Sequence, residues 1–425
     1  MLFLKWFTSR TVRHAWQAAN HVEKILRHQS DLLSPDATEA VQTDIENVRI
    51  ACRAGDKNAI HHSLATLEKT ANKWLKSYPH SALRENIEVA LVAIAVAMGI
   101  RTFFLQPFKI PTGSMQPTLY GVTQEDLRGL DDVRMPGRLA GFAEYWFNGV
   151  QYFHLTAKSS GSLTWDEPKK LVLFNWKQTY RINGVTQGSV WFPPDELFAR
   201  SGISPGAQVQ AGQDILKLRV ISGDHLFVDR VTYNFRRPDR GDIIVFETHG
   251  IEELKRQSPQ LADTYYIKRL CGLGGEQLQL RQDYYIMGVP RMGTVPVGHL
   301  VVNGRELSAA TPLLENLYSF PDAPRGANSL PYRENHYYGH GLLEAFGVID
   351  AAQVATNRYF TKPYDVPPDH YFVMGDNTFN SSDSRYWGDF HKSKVTGKSF
   401  FVYWPIGGTM FKGEKRDSRF GWAHR

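Results

Sequence analysis

Residues 10 to 76 carry apolar positions three and four apart, the spacing of one helix face, with few runs of β-branched residues. Ser34-Pro35 and Gly55-Asp56 interrupt this pattern, because proline favours a helix start and glycine a helix end. We expect two or three helices, arranged as a helical hairpin, in a cytosolic region at 1–85. This region is either a docking module for a partner or a small helical domain without a part in catalysis.

An unbroken apolar run follows at 89–100, with the sequence VALVAIAVAMGI. Extended to 86–108, it approaches the roughly 20 residues that a membrane-spanning helix requires, and Glu88 and Arg101 are its charged residues. We therefore predict one transmembrane helix at 86–108. A cleavable signal peptide is not expected this far from the N-terminus. Three aromatic residues near the end of the run suit a membrane interface: Phe103, Phe104 and Phe108.

Basic residues outnumber acidic ones just before the apolar run. Lysine and arginine concentrate on the cytosolic side of a membrane span, so the N-terminus is predicted to be cytosolic and the chain after Phe108 extracytoplasmic. The basic residues are Lys69, Lys73, Lys76 and Arg84, against Glu68 and Glu85.

After Pro111 the pattern changes to short runs rich in β-branched and aromatic residues, bounded by Gly, Pro, Asp or Asn. Many short strands with few long helical patterns indicate a mainly β domain, which we place at 109–425. The clearest runs are 243–246, 278–280, 301–304 and 399–404.

Composition narrows the functional classes. With 42% apolar and 22% charged residues among 425, the chain is that of a folded protein with room for several domains or for one with large insertions. The net charge of +6 fits a solvated basic surface or attraction to anionic lipid headgroups. No dense Lys/Arg run alternates with aromatics, so nucleic acid is not an expected partner.

The sequence lacks the common metal and hydrolase motifs. Cys52 and Cys271 form no CxxC pair, and the predicted membrane span would separate them. There is no HExxH and no GxSxG, and His336 and His340 lie among Tyr and Gly residues typical of a loop. We predict neither a metal nor a cofactor.

Four segments contain residues whose side chains could take part in catalysis. Residues 106–119, QPFKIPTGSMQPTL, place Ser114 between prolines; residues 223–246 read as a strand, a turn and a buried strand. Residues 265–276 place Lys268 among apolar residues, where burial would lower its pKa. Residues 372–388 bring together hydroxyls, carboxylates and an arginine. Each segment alone could be purely structural. Ser114 could be an ordinary serine in a turn, and Lys268 could face water from an edge strand. Residues 372–388 could form a turn whose polar groups bond to one another.

Together and in this order, the segments resemble bacterial type I signal peptidase, a Ser–Lys serine peptidase family. Its patterns are an SGSMxPTL-like motif, GDxxxVxxxxY…RGDIVVF, YxKRxxGxPGD and GDNxxxSxDSRxWG. The resemblance implies a signal-peptidase-like β catalytic domain, with inserted β subdomains, anchored by one helix in the bacterial inner (cytoplasmic) membrane. It also implies removal of signal peptides from exported preproteins after a small-x-small site. The matching stretches are 89–119, 223–246, 265–280, 301–304 and 372–404.

The resemblance assigns the nucleophile to Ser114 and the general base to Lys268. A serine hydroxyl needs a base within hydrogen-bond reach, and a lysine acts as one only when neutral. The resemblance also gives Thr112 a place in the oxyanion hole beside the Ser114 N–H, and it makes Ser381 the residue that orients Lys268.

Two further sets of residues follow from the resemblance. A shallow apolar pocket for small side chains, as in Ala-x-Ala, is expected from Phe108, Ile110, Pro111, Leu119, Tyr266 and Ile267. Structural support is expected from Arg269, Asp376, Asp383 and Arg385, with an Asp383–Arg385 ion pair and Arg269 nearby.

The chain also departs from the family pattern. Gly274-Gly275-Glu276 replaces Pro-Gly-Asp, Thr378 replaces a common arginine, and two variable regions occur at about 120–222 and 305–370. The first is predicted to be an inserted β subdomain, whose aromatics either touch lipid or pack into a core. Those aromatics are Phe142, Tyr145, Trp146 and Phe147.

Two alternatives remain open at this stage. A Ser–Lys peptidase with another substrate, such as a self-cleaving repressor, is disfavoured by the hydrophobic run and the GDNxxxSxDSR segment. A catalytically inactive membrane-tethered binding module is disfavoured because Ser114 and Lys268 are both retained. The expected partners are signal peptides of preproteins and the lipid bilayer, with the secretion machinery as a further candidate.

Overall fold

The computed structural model describes residues 9–76, 81–130, 135–171, 174–194, 196–257, 259, 263–319, 329–342, 363–411 and 414–423. The chain forms two compact units, Met1–Ala95 and Val96–Arg425. The helices in chain order are α1 Arg10–Gln29, α2 Pro35–Ala54, α3 Lys57–Trp74, α4 Ser81–Phe103, α5 Arg138–Asn148, α6 Leu197–Arg200, α7 Glu252–Gln257 and α8 Ser384–Trp387.

The first strands are β1 Leu105–Lys109, β2 Thr123–Asp126, β3 Val150–Thr156, β4 Gly161–Trp165, β5 Lys169–Leu171, β6 Phe174–Ile182, β7 Val185–Trp191, β8 Gln208–Val209, β9 Asp214–Ile221, β10 His225–Asp229, β11 Ile243–Glu247 and β12 Tyr265–Leu273. The others are β13 Gln277–Val289, β14 Gly293–Val302, β15 Arg305–Glu306, β16 Ser329–Pro331, β17 His340–Gly341, β18 Tyr364–Asp365, β19 His370–Met374, β20 Phe390–His391, β21 Val395–Trp404, β22 Thr409–Phe411, β23 Glu414–Arg416 and β24 Gly421–Trp422.

The N-terminal helices begin and end where their capping residues stand. Ser34 caps α2 by accepting a hydrogen bond from the Ala37 N–H, with Pro35 at the first helical position. Gly55 ends α2 in the left-handed conformation, at φ 80°. Helices α1, α2 and α3 pack around one small core, so three helices form at the predicted breaks. The core residues include Val12, Ala19, Val41, Val48, Cys52, Ile60 and Leu67.

Helix α4 is long and apolar enough to cross a membrane over Leu83–Phe103, and none of that stretch is buried within the structure. The predicted span of 86–108 therefore runs too far, because Leu105–Lys109 forms strand β1. The backbone of these residues pairs antiparallel with β10, Leu105 opposite Asp229 and Lys109 opposite His225. Apolar composition alone does not distinguish an apolar strand from the end of an apolar helix.

The central sheet of the second unit has the strand order β1-β10-β21-β11-β12-β19-β20, with β24 added beside β21. Both faces of its centre are covered: Ile243 and Val245 pack on one side, and Ile244 and Phe246 on the other. Because side chains alternate along a strand, a run buried at every position requires packing on both faces. The sequence IIVF is such a run, and the unit is mainly β as expected.

Two further β regions are built from the variable stretches. Strands β2, β3 and β9 form one small sheet, and β4 to β8 form another over a core that includes Leu163, Ile182 and Phe198. The second region is a sheet centred on the β13–β14 hairpin, joined by β15 to β18. Its first strand begins at Gln277, so the predicted boundary at 305 falls inside this sheet. The predicted insertion at 305–370 includes residues 320–328 and 343–362, which lie outside the described residues.

Candidate active site

The loop after β1 carries Ser114, and other motif segments hold it through its backbone. Asn377 donates its N–H to Ser114 O at 3.0 Å and its side-chain Nδ2 to Gly113 O at 2.9 Å. Val122 N donates to Pro111 O at 3.2 Å. The Gly-Asp-Asn sequence near the C-terminus therefore positions the loop that carries Ser114, a role for Asn377 that the sequence analysis did not assign.

Three glycines let other backbone segments approach this loop closely. A Cβ at Gly375 would lie 2.5 Å from Ser114 O, and one at Gly121 would lie 2.1 Å from the Thr112 carbonyl carbon. A Cβ at Gly223 would lie 1.9 Å from Ile110 O. No real side chain fits at such distances, so glycine is required at each position for the loop to keep its place.

Lys268 lies on β12, in the same central sheet as β1, and its side chain reaches Ser114. Its Nζ lies 2.8 Å from Ser114 Oγ and also donates to Ile267 O at 3.1 Å. The two residues are buried, with exposed fractions of 4% for Lys268 and 6% for Ser114. The Tyr266 ring centroid lies 5.0 Å from Nζ. The two residues singled out from the sequence are thus in direct contact.

Burial lowers the pKa of Lys268 from 10.5 to about 8, because the ammonium loses its hydration. Asp383 and Asp376 oppose this change, and Arg385 adds to it. Both carboxylates are already engaged by arginines, which limits how much they stabilise a positive charge on Lys268. The site therefore favours the neutral amine far more than water does.

The arginine–carboxylate pairs are buried and bidentate. Arg269 donates Nε to Asp376 Oδ1 at 2.7 Å and Nη2 to Oδ2 at 2.5 Å. Arg385 donates Nε and Nη2 to the two oxygens of Asp383, each at 2.8 Å. The expected Asp383–Arg385 pair is present, whereas the partner of Arg269 is Asp376. Burial alone would raise the pKa of Asp383, but the Arg385 charge and hydrogen bonds hold it below its usual range.

A cleft of about 560 Å³ opens over Ser114 and Lys268. Four of the predicted pocket residues line this main cleft: Ile110, Pro111, Tyr266 and Ile267, together with Thr112. Tyr265 and Tyr386 also line it and were not predicted. Its wall is largely apolar, with the serine and lysine at its base.

Comparisons with known proteins identify the family of this chain. The sequence model of the family described as signal peptidase, peptidase S26, matches residues 83–125 and 215–404, more than half of the chain. The chain belongs to the signal peptidase family. The matched stretches hold every residue of the site described above.

Individual relatives are similar over part of their length. Signal peptidase I of Leptolyngbya laminosa is 30% identical over 43% of this chain and 61% of that protein. A probable signal peptidase I-2 of Synechocystis is 28% identical over 43% of this chain and 56% of that protein. Signal peptidase I of Aquifex aeolicus is 27% identical over 49% of this chain and 78% of that protein. The chain thus spans under two thirds of the first two relatives.

A solved signal peptidase I from Enterococcus faecalis is 26% identical, covering 38% of this chain and 97% of that chain, with a TM-score of 0.21. Membership of the family therefore rests on the sequence match.

Two predicted pocket residues of this family member lie elsewhere. Leu119 is 1% exposed and packs in the core with Met115 and Leu226, so its prediction as a pocket residue is corrected. The chain turns after Ser114, which directs the leucine inward. Phe108 is not among the described residues that line the main cleft. Its ring packs edge-on against the ring of Tyr265, a residue of the cleft wall, with 5.2 Å between ring centroids.

Ser381 lines the main cleft but makes no hydrogen bond to Lys268. Its Oγ satisfies no hydrogen-bond geometry within the described part of the chain, although it lies near enough to Asp383 to help lower the pKa of that carboxyl. The structure therefore does not show the expected hydrogen bond from Ser381 to Lys268, whose second contact is Ile267 O. Close packing over Gly375 fixes the serine instead, since a Cβ there would lie 2.2 Å from Ser381 Oγ.

The two departures from the family pattern have structural explanations. Thr378 Oγ1 accepts hydrogen bonds from Arg385 Nη1, at 2.7 Å, and from the Gly341 N–H, so it ties the second variable region to the buried ion pair. Gly275 adopts φ 86° in the turn between β12 and β13. Glu276 accepts the Leu273 N–H at 2.7 Å and pairs with Arg240. In place of Pro-Gly-Asp, this chain therefore holds the turn between β12 and β13 through the contacts of Glu276.

The two histidines of this region, His336 and His340, differ in burial. His340 is 1% exposed, and burial lowers its pKa to about 3. His336 is exposed in the loop after Pro331. No group of three or more His, Cys, Asp or Glu side chains could hold a metal ion among the residues that the structure describes.

Proposed function

We propose that this chain is a membrane-bound endopeptidase that removes signal peptides from exported preproteins, with Ser114 as nucleophile and Lys268 as general base. The 2.8 Å contact between Lys268 Nζ and Ser114 Oγ is the observation that carries the proposal. A lysine whose pKa falls to about 8 supplies a neutral amine near physiological pH, which a solvated lysine does not. Membership of the signal peptidase family supports the substrate class.

Acylation begins when neutral Lys268 accepts the Ser114 Oγ proton as that oxygen attacks the scissile carbonyl carbon. The carbonyl oxygen becomes an oxyanion, stabilised by the Ser114 N–H and the Thr112 hydroxyl. Collapse of this intermediate breaks the C–N bond, and the leaving amine takes its proton from Lys268. The mature protein departs, and the signal peptide stays as an ester on Ser114.

Deacylation uses the same base. Lys268, neutral again, accepts a proton from water as the water oxygen attacks the ester carbonyl. The Ser114 oxygen leaves and regains the proton from Lys268, and the signal peptide is released as a carboxylic acid. Two groups therefore suffice for both half-reactions, as in other nucleophile–base pairs.

The apolar wall of the main cleft supports selection of small residues. Ile110, Pro111 and Ile267 line the cleft beside Ser114, and a shallow apolar site rejects larger side chains by overlap. We propose cleavage after a small-x-small sequence on this basis.

The bilayer is the proposed environment, with α4 as a single span, the N-terminus cytosolic and the β unit on the extracytoplasmic side of the inner membrane. Helix α5, in the first variable region, adds support because none of its side chains is buried. Its exposed fractions are 87% for Leu139, 63% for Phe142, 56% for Trp146 and 59% for Phe147. A short helix exposing large apolar and aromatic side chains is typical of a membrane interface. We propose that α5 contacts lipid, while the strands of this region pack their own core.

The decisive test is cleavage of a purified preprotein, with an Ala-x-Ala site, by the full-length protein in detergent. We expect Ser114→Ala and Lys268→Ala each to lose at least about a thousandfold in kcat/KM. The exposed Lys392→Ala serves as the matched control and should cleave like wild type. Cleavage by Ser114→Ala at the wild-type rate would overturn the nucleophile. No cleavage by wild type would favour an inactive binding module or another substrate.

A further inference from the structure

A second cavity, of about 380 Å³, shares a wall with the main cleft. Phe379 and Asn380 line both spaces. The remaining walls of the second cavity come from the β13–β14 turn, at Arg291 and Met292, and from residues 332–338. These walls belong to the second β region, so the second cavity lies between that region and the motif loop that holds Ser114.

The nucleophile loop itself borders the second cavity. Gln116, two residues after Ser114, lines it, and so does Asn377, which bonds to the carbonyl oxygens of Gly113 and Ser114. The Gln116 side chain packs against Gly113, where a Cβ would lie 3.0 Å from Gln116 Oε1. A chain that crosses Ser114 from the main cleft therefore meets the second cavity next.

Two amide side chains on the walls of the second cavity each have one buried atom without a hydrogen-bond partner among the described residues. Gln116 is 9% exposed, and its Nε2 has no partner within the described residues; the same is true of Asn335 Oδ1. Buried amide atoms without partners cost free energy, which a ligand with complementary groups recovers. The amide of an Asn or Gln side chain has an NH₂ group that donates hydrogen bonds and a carbonyl oxygen that accepts them. An extended peptide backbone offers the matching C=O and N–H groups.

Aromatic rings stiffen this wall. Phe379 packs against Tyr332 at 5.9 Å and Tyr338 at 5.6 Å between ring centroids, and Tyr337 Oη lies 2.8 Å from Thr118 Oγ1. The segment that carries Asn335 is thereby fixed to the loops around Ser114. A preformed wall loses little conformational entropy on binding a peptide.

We propose that the second cavity binds the first residues of the mature chain, downstream of the scissile bond. Gln116 Nε2 donates to a substrate backbone C=O, and Asn335 Oδ1 accepts from a substrate backbone N–H. The inference rests on the proposed function and deepens it. The main cleft takes the signal-peptide side of the bond, and the second cavity takes the mature side. Recognition of the backbone suits an enzyme whose substrates differ in mature sequence.

The test compares two peptide substrates that share one signal-peptide portion and carry either one or six mature residues. For full-length wild type in detergent, kcat/KM should be about 2- to 100-fold higher for the long substrate, the range that one or two hydrogen bonds supply. Asn335→Gly should bring this ratio toward one. Glycine suits the backbone there, at φ 66°, so the change removes the amide without straining the loop.

Asn303→Gly is the matched control, since Asn303 also has a positive φ, of 49°, and does not line the second cavity; it should keep the wild-type ratio. A long substrate N-methylated at its second mature residue should lose the advantage for wild type, because methylation removes a backbone donor. Equal cleavage of long and short substrates by wild type would overturn the inference while leaving the proposed function intact. If wild type cleaved neither, the proposed function would fail, and the inference with it.

Discussion

Lys268 Nζ and Ser114 Oγ lie 2.8 Å apart although 154 residues separate them in the chain. Strand pairing of β12 with β11, in which Lys268 stands opposite Ile244, fixes the lysine. Backbone bonds from Asn377 fix the serine. The proposed nucleophile and its proposed base are thus positioned by different motif segments, and five predictions concern the groups that surround them.

The first prediction concerns pH. Lys268 acts as a base only when neutral, and its pKa is lowered to about 8. The kcat/KM for a preprotein should therefore rise about tenfold per pH unit below pH 8 and level off above it. A pH–rate profile between pH 5 and pH 10 measures this directly. A profile that is flat across that range would exclude Lys268 as the base.

The second prediction is that the lysine costs stability. Its pKa is about 8 when folded and 10.5 as the reference value, so the unfolded chain binds more protons between these values and stability rises with pH through that window. Below pH 8 the folded protein bears the full penalty. Lys268→Met should therefore be more stable at pH 7, by up to about 3 kcal/mol. Thermal unfolding at pH 7 checks the sign, and the gain should shrink toward pH 10; a loss of stability at pH 7 would contradict the prediction.

The third prediction tests the close packing behind the nucleophile. Gly375→Ala would place a methyl group 2.5 Å from Ser114 O, which displaces the loop. Displacements near 1 Å cost about a hundredfold in rate, so kcat should fall by roughly that factor. Gly99→Ala, in helix α4 with nothing within 4 Å of the added Cβ, is the control. Wild-type kcat in Gly375→Ala would show that the loop tolerates the shift.

The fourth prediction concerns the buried pair of Arg269 and Asp376, whose side chains are 6% and 0% exposed. Asp376→Asn leaves a buried guanidinium without its counter-charge and should destabilise the fold by about 3–5 kcal/mol. The surface pair Lys392–Asp369, at 40% and 59% exposed, provides the comparison, since Asp369→Asn should cost less than about 1 kcal/mol. Chemical denaturation measures both; equal effects would refute the distinction.

The fifth prediction concerns lipid contact by α5. Phe142→Cys, labelled with an environment-sensitive fluorophore in full-length protein reconstituted into liposomes, should show blue-shifted emission. Val185→Cys is the control, because Val185 is 64% exposed in the same variable region but lies on β7. The native cysteines, Cys52 and Cys271, are buried and should label little. Identical spectra at both sites would argue against lipid contact by α5.

The sequence by itself determined the features that are encoded locally. Ser34, Pro35 and Gly55 bound helix α2 because capping depends on a few adjacent residues. The fully buried strand IIVF and the four motif segments were recognisable for the same reason. Ser114 and Lys268 could be singled out because their neighbours form patterns characteristic of one family.

Tertiary structure alone decided which side chains meet. Arg269 pairs with Asp376, 107 residues away, and Leu119 faces the core while Ser381 packs over Gly375. Strand pairing with β10 ended the predicted membrane helix at Phe103. Such outcomes depend on packing between distant segments, since the direction of a side chain and its burial are set by whatever the fold places against it. The separation of 2.8 Å between Lys268 Nζ and Ser114 Oγ is likewise a property of the folded chain.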